Sequence, residues 1–165
     1  VYDATGIPNL QSKVLDVWNT IISGPVRFVA STNPSSPVVI ELNPELSGTS
    51  TVGQSETFWR NYEIYKSVIS INPDDYYTLS EQQMLHTYTH EFGHTIGLAH
   101  SYDGGLMDYD HGWDQNEIKE PLRRVVYTLY RQPIGYQMAT IVPSGEREIP
   151  SEGHICLELI LKKEE

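Results

Sequence analysis

The residues Thr89–Asp110, THEFGHTIGLAHSYDGGLMDYD, constrain this chain more than any other part of it. His90 and His94 are four positions apart, so on a helix their side chains share one face, about 5–6 Å from each other. That spacing lets two imidazole nitrogens each reach about 2.0–2.1 Å to one zinc ion. Glu91 is offset by about 100° around the helix, where it can lean over a metal-bound water and take its proton. Gly97 can adopt a left-handed conformation, ending the helix and reversing the chain without Cβ strain. Three residues later His100 can swing back as the third protein ligand that a catalytic zinc site needs. The pattern H-E-x-x-H-x-x-G-x-x-H therefore has a mechanical reason at each fixed position. A metal-free reading, with the histidines as ordinary helix and core residues, leaves that spacing unexplained.

With 165 residues the chain is most simply one domain, long enough to bury a core without disulfide staples. The glycine at position 97 divides it into an N-terminal part, about 1–97, and a C-terminal part, about 98–165, whose tail from 132 onward is the least determined. Cys156 is the only cysteine, so no intrachain disulfide can form. The formal net charge of −11 argues against nucleic-acid phosphates and anionic lipid as partners, since both would be repelled. No apolar run approaches the roughly 20 residues of a membrane span. No targeting signal is visible at VYDATGIPNL, and a trimmed chain would look the same. A monomer is expected.

Apolar residues at helical spacing in PNLQSKVLDVWNTIIS predict a first amphipathic helix that stops at Gly24-Pro25. VRFVAS (26–31), SPVVIELN (36–43) and YKSVISIN (65–72) read as strands, and GTSTVGQSETFW (48–59) as a loop or a polar edge strand. Ser80 and Gln83 form the S-x-x-Q capping box of a long helix over about 81–96. A last helix is expected over about 114–131, kinked or broken at Pro121. GYQMATIVP and HICLELIL are two further candidate strands in the tail. This order of elements makes an α+β domain.

From Ser80 to Tyr109, and above all in HEFGHTIGLAHS followed by GGLMDY, the chain resembles the metzincin clan of zinc endopeptidases. Ser101, directly after the third histidine, makes it most similar to the matrixins. The resemblance implies a twisted mixed sheet of the zincin type, a long active-site helix, an N-terminal helix and a C-terminal helix. It implies that His90, His94 and His100 bind one catalytic Zn2+ and that Glu91 is the general base. Met107, in a methionine-containing turn, would support the site from beneath without binding the ion, and Gly97 would shape the approach of His100. Thr49, Ser50, Thr51, Val52, Gly53 and Gln54 would form an edge whose unpaired backbone holds an extended peptide by strand addition. A secreted or extracellular location is implied by the same resemblance.

Matrixins usually place proline two residues after the methionine and tyrosine two further on; here those positions are Tyr109 and His111. A tyrosine at the first of them is instead a feature of astacins and serralysins. Tyr109 is therefore either a switchable zinc ligand and oxyanion donor or a pocket-wall aromatic. The loop from His100 to Met107 is slightly shorter than in animal matrixins, so their substrate pocket does not carry over. No H-x-D-rich loop of the kind that holds structural zinc and calcium precedes the zinc helix. Asp74-Asp75 and Asp103, Asp108 and Asp110 lack EF-hand spacing and read as solvated carboxylates, with Ca2+ as an open alternative.

His86 is expected to be a packing or exposed histidine, His111 a loop residue and Cys156 an unpaired thiol. The aromatics Trp59, Tyr62 and Tyr65 fit packing as well as ligand binding. The expected activity is hydrolysis of internal bonds in extended protein or peptide substrates. The rival is a zinc-binding, catalytically silent peptide-binding module. An aminopeptidase or cell-wall hydrolase on the same zinc core is a narrower alternative.

Overall fold

Leu10, Val14, Leu15, Trp18, Ile21 and Ile22 recur at three- and four-residue spacing and are all buried along one side of helix α1 (Leu10–Ile22). The computed structural model describes residues 1–7, 9–24, 26–61, 63–101, 104–108, 118–131 and 152–160. Among them α1 packs on α3 (Glu81–Thr95), and α3 packs on a five-stranded mixed sheet. The strands are β1 (Tyr2–Asp3), β2 (Val38–Leu42), β3 (Thr51–Arg60), β4 (Glu63–Ile71) and β5 (Glu152–Ile160), in the order β1-β2-β4-β3-β5. β1, β2 and β4 run parallel to one another, while β3 is antiparallel to both β4 and β5. The described residues thus form an α+β fold with four α-helices, the other two being α2 (Pro73–Tyr76) and α4 (Glu120–Leu129). No described helix is long and apolar enough to cross a membrane.

The core lies between helices and sheet. Trp18, Ile22, Ile40, Ile69, Ile71, Tyr88, Phe92 and Met107 are nearly or fully excluded from solvent and belong to one cluster. Burying each such aliphatic side chain contributes roughly 1.5–3 kcal/mol. The Trp18 indole donates to the Thr89 carbonyl at 3.0 Å, which fixes α1 against the middle of α3. Tyr130, just past α4, donates to the Ile96 carbonyl at 3.1 Å and so ties α4 to the end of α3.

Three expectations need correction. The segment 26–30 is not a strand, because its polar backbone is satisfied otherwise. The Asn19 side chain donates to the Phe28 carbonyl and accepts from its amide, both at 2.8 Å, and the amino terminus donates to the Val29 carbonyl. Only Ser31 makes an isolated bridge, to Tyr2. Pro121 does not kink a longer helix. It occupies the first turn of α4, where a missing amide removes no helical bond, and Ile118 and Lys119 precede the helix.

The third correction concerns the sheet edge. Thr51, Val52, Gly53 and Gln54 do not present unpaired backbone: β3 is an interior strand, with Gln54 between Ser70 of β4 and Glu158 of β5. The Val52 carbonyl accepts from Asn72 N at 2.9 Å. Thr49 and Ser50 lie in the turn before the strand. Inside the sheet the buried Thr57 hydroxyl of this polar strand pairs with that of Ser67 at 3.1 Å. HICLELIL supplies most of β5, whereas GYQMATIVP lies outside the described residues.

Asn72 sets where β3 begins. Buried at the end of β4, its side-chain amide donates to the carbonyls of Leu46 and Thr51 at 2.8 and 2.9 Å, while its oxygen accepts from Asp74 N at 3.0 Å and caps α2. Asn72→Ala is expected to lower stability by about 2–3 kcal/mol, because a buried donor, a buried acceptor and a cap are lost together. Chemical denaturation measures this; a loss below about 0.5 kcal/mol, the scale of an ordinary surface substitution, would show the clamp to be dispensable.

Candidate metal centre

Helix α3 opens on the expected capping box. Gln83 N donates to Ser80 Oγ at 3.3 Å and Ser80 N donates to Gln83 Oε1 at 2.9 Å. At its far end Gly97 has φ +92°, a left-handed value that glycine adopts without strain. Gly97 N donates to the His94 carbonyl at 3.0 Å and Leu98 N to the Gly93 carbonyl at 3.1 Å, the paired bonds of a Schellman motif. The chain then turns back along the helix and brings His100 beside His90 and His94.

The three histidines surround one point. Each offers a ring nitrogen, and these nitrogens all lie within 4.8 Å of one another. His90 and His94 are buried and His100 is half-buried. The Nδ1 atoms of His90 and His94 lie 2.7 Å from the carbonyls of Leu106 and Leu98. A carbonyl only accepts, so in both rings Nδ1 carries the hydrogen and Nε2 keeps its lone pair. Those two Nε2 atoms stand 3.1 Å apart. Two lone pairs facing each other repel unless a proton or a metal ion lies between them. Two arms of about 2.0–2.1 Å in a tetrahedral zinc site would put the nitrogens about 3.3–3.4 Å apart, close to the observed spacing. Burial lowers the His94 pKa to about 4; the Leu98 bond opposes that and the His100 charge adds to it. Its imidazole is therefore neutral near pH 7, the form that binds metals. His90, His94 and His100 lie close enough to hold a metal ion.

The support beneath them is a closed turn. Ser101 N donates to the Met107 carbonyl at 2.7 Å, Asp108 N donates to the Gly105 carbonyl at 3.0 Å, and Gly104 N donates to Asp108 Oδ2 at 2.5 Å. Met107 is completely buried and lies against the helix at Gly93. A Cβ on Gly93 would meet Met107 Sδ, sit 2.9 Å from Met107 Cε and lie 3.1 Å from Trp18 Cζ2. Gly93 is thus the point where turn, α1 and α3 converge.

Glu91 faces β3. It is fully buried, and among the described residues neither carboxylate oxygen has a hydrogen-bond partner. Burial, and then the Glu158 charge, push its pKa well above the usual carboxylate range. A Cβ on Gly53 would stand 3.0 Å from Glu91 Cγ and Oε1, so only glycine lets β3 approach so closely.

Other candidates fall elsewhere. Tyr109, Asp103, Asp110, His111 and Tyr62 lie outside the described residues. His86 is buried, with its ring 6.3 Å from that of His90, and is not among the three grouped histidines. Asp74 accepts from Ser47 and from Gly48 N, which lowers its pKa, and Asp108 holds the methionine turn; both carboxylates do structural work. Cys156 is an exposed free thiol on β5. Sequence reasoning missed Gly93 and gave Gly53 an edge role instead of a close approach to Glu91, although a glycine inside a helix or strand costs stability and usually marks a close approach. The carbonyls of Leu98 and Leu106 carry no sequence signal at all.

The chain matches no protein-family model, no curated protein and no solved structure.

The centre is expected to take up one metal ion per chain, to lose it in His100→Ala and to keep it in His86→Ala, as read by metal analysis after gel filtration. Gly93→Ala forces Met107 and Trp18 aside. It should destabilise the fold by about 1–3 kcal/mol and weaken metal binding at least tenfold in a competitive-chelator titration. Unchanged affinity in Gly93→Ala would detach the methionine turn from the metal site.

Proposed function

We propose that the chain is a zinc-dependent endopeptidase, a metzincin closest to the matrixins, acting on internal bonds of extended peptides. The observation that carries this reading is a buried carboxylate with unpaired oxygens, Glu91, on the same helix as two histidines whose Nε2 lone pairs converge with His100. His90, His94 and His100 would hold the ion. Zinc in such a site supplies a Lewis acid that polarises a carbonyl and lowers the pKa of bound water to about 7.

Glu91 has the remaining work. Placed one residue after His90 on the same helix, it is suited to take a proton from the attacking water and to deliver it to the departing amine. Its dry surroundings make that exchange favourable, since no bulk water competes for the proton. The carbonyls of Leu98 and Leu106 keep the two rings in one tautomer throughout. Tyr109, two residues past Met107, remains the candidate for a second oxyanion donor. Secretion belongs to the same reading and rests on the resemblance alone. The silent peptide-binding module keeps the zinc ligands and makes no use of Glu91.

A mixed pool of unstructured peptides, incubated at high enzyme concentration with the zinc-loaded chain and with Glu91→Ala, separates the two. Internal cuts by the wild type are expected to fall at least 1,000-fold in Glu91→Ala while zinc content stays at one per chain. Equal cutting by both proteins would remove Glu91 from the chemistry, and cuts confined to peptide ends would make the enzyme an aminopeptidase.

A further inference from the structure

β3 brings its backbone close to Glu91, and the point of approach is Gly53. An extended peptide that binds by strand addition has to pair with the outer edge of β3 there. In the structure that edge is taken. β5 runs antiparallel along it from Thr51↔Ile160, through Gly53↔Leu159 and Ser55↔Leu157, to Arg60↔Glu152. We propose that β5 is an intramolecular occupant of the substrate edge, so that the intact chain is self-blocked and a substrate strand must displace residues 152–160. This inference rests on the endopeptidase reading for the word substrate, but the displacement itself does not depend on turnover.

The geometry distinguishes β5 from an ordinary extra strand. Gly53 faces α3, since a Cβ there would meet Thr87 and Glu91 at 3.0 Å. Side chains alternate along a strand, so Gly53, Ser55 and Thr57 share that face, as do their β5 partners Leu159, Leu157 and Ile155. Leu159, opposite Gly53, is only 5% exposed, whereas Ile155 at the other end is 47% exposed. β5 is therefore anchored at the end that pairs with Gly53, beside Glu91, and loosely covered away from it, and it touches α3 directly. The apolar residue at every second position also describes the substrate: an extended segment with aliphatic side chains spaced like those of Ile155, Leu157 and Leu159.

The other side of β5 does not serve. Strands lie about 4.7–4.9 Å apart, so a peptide added beyond β5 would be that much farther from Glu91. The polar side-chain links of β5 are weak. Gln54 Nε2 donates to Cys156 Sγ at 2.6 Å, Thr51 Oγ1 donates to Glu158 Oε2 at 3.3 Å, and His154 and Glu152 stand 3.7 Å from Glu56 and Arg60. These contacts are half-buried or exposed, and exposed ion pairs contribute little. What keeps β5 in place is the backbone ladder, the burial of Leu159 and the stacking of His154 on Phe58 at 5.6 Å, together with its place on the same chain, which favours it over a free peptide.

Two full-length variants test this with the zinc-loaded protein. Glu56 lies opposite Cys156, so Glu56→Cys can close a cross-strand disulfide that staples β5 to β3. Leu157→Pro/Glu158→Pro has the opposite effect, because successive amides point to opposite sides and one of the two removed donors must face β3. The probe is a fluorescent peptide with the sequence of residues 152–160 carrying Cys156→Ser, followed by anisotropy, with cleavage of the unstructured pool as a second readout. Peptide binding should be at least tenfold tighter in the proline variant than in the wild type. It should be at least tenfold weaker in the oxidised staple than in the same protein after phosphine reduction.

Equal binding by the oxidised and reduced staple, with the cross-link verified by mass, overturns the proposal even if the proline variant does not fold. A folded, zinc-containing proline variant that binds no better than wild type overturns it as well. Binding that follows the expected order without cleavage leaves self-blocking in place and removes the endopeptidase reading. Cleavage that ignores the staple does the reverse.

Discussion

Two backbone carbonyls, those of Leu98 and Leu106, hold two of the three grouped histidines in one chemical form. Each accepts the Nδ1 hydrogen of a histidine at 2.7 Å, and so turns the two Nε2 lone pairs toward the same point. Both carbonyls reach their places through the turns that follow α3. Leu98 arrives because Gly97 ends the helix with a left-handed residue, and Leu106 because the turn over residues 104–108 closes on Ser101 and Asp108. Gly93 sets the depth of that turn by allowing Met107 and Trp18 to touch the helix. Loosening any of these contacts would let a ring rotate, and a rotated ring presents a hydrogen where a lone pair is needed.

This arrangement explains why the short stretch 80–108 is legible in the amino-acid sequence alone. Capping, helix face and terminating glycine all act over three or four residues, and the chain there obeys local rules. The histidine triad, the capping box and the left-handed Gly97 are expected from those rules, and all are present. The core face of α1 is legible for the same reason.

What the sequence hides depends on partners remote along the chain. The segment 26–30 has the composition of a strand, yet Asn19 satisfies Phe28 from a neighbouring helix and no ladder forms. β3 reads as a polar edge because nothing near it announces β5, which lies about a hundred residues further on. Its serines and threonines suit an interior strand only once Ser67 supplies a matching hydroxyl. Pro121 carries a different ambiguity: the same ring that breaks a helix interior is welcome in its first turn. The proposed zinc and peptidase chemistry rest on the motif, and the proposed location rests on the resemblance alone.

The distance along the chain between β3 and β5 has a consequence for folding. Thr51 and Ile160 are 109 positions apart (160 − 51), whereas the whole metal centre and its turn fit within residues 80–108. Pairing of remote segments pays its loop-closure entropy before any contact repays it, so it comes late. The helix, its terminating turn and the sheet edge of β3 can assemble while β5 has yet to leave the ribosome, 44 residues behind Asp108 (152 − 108). A nascent chain at that stage carries a bare strand edge beside a formed histidine cluster, open to any extended segment that arrives before its own.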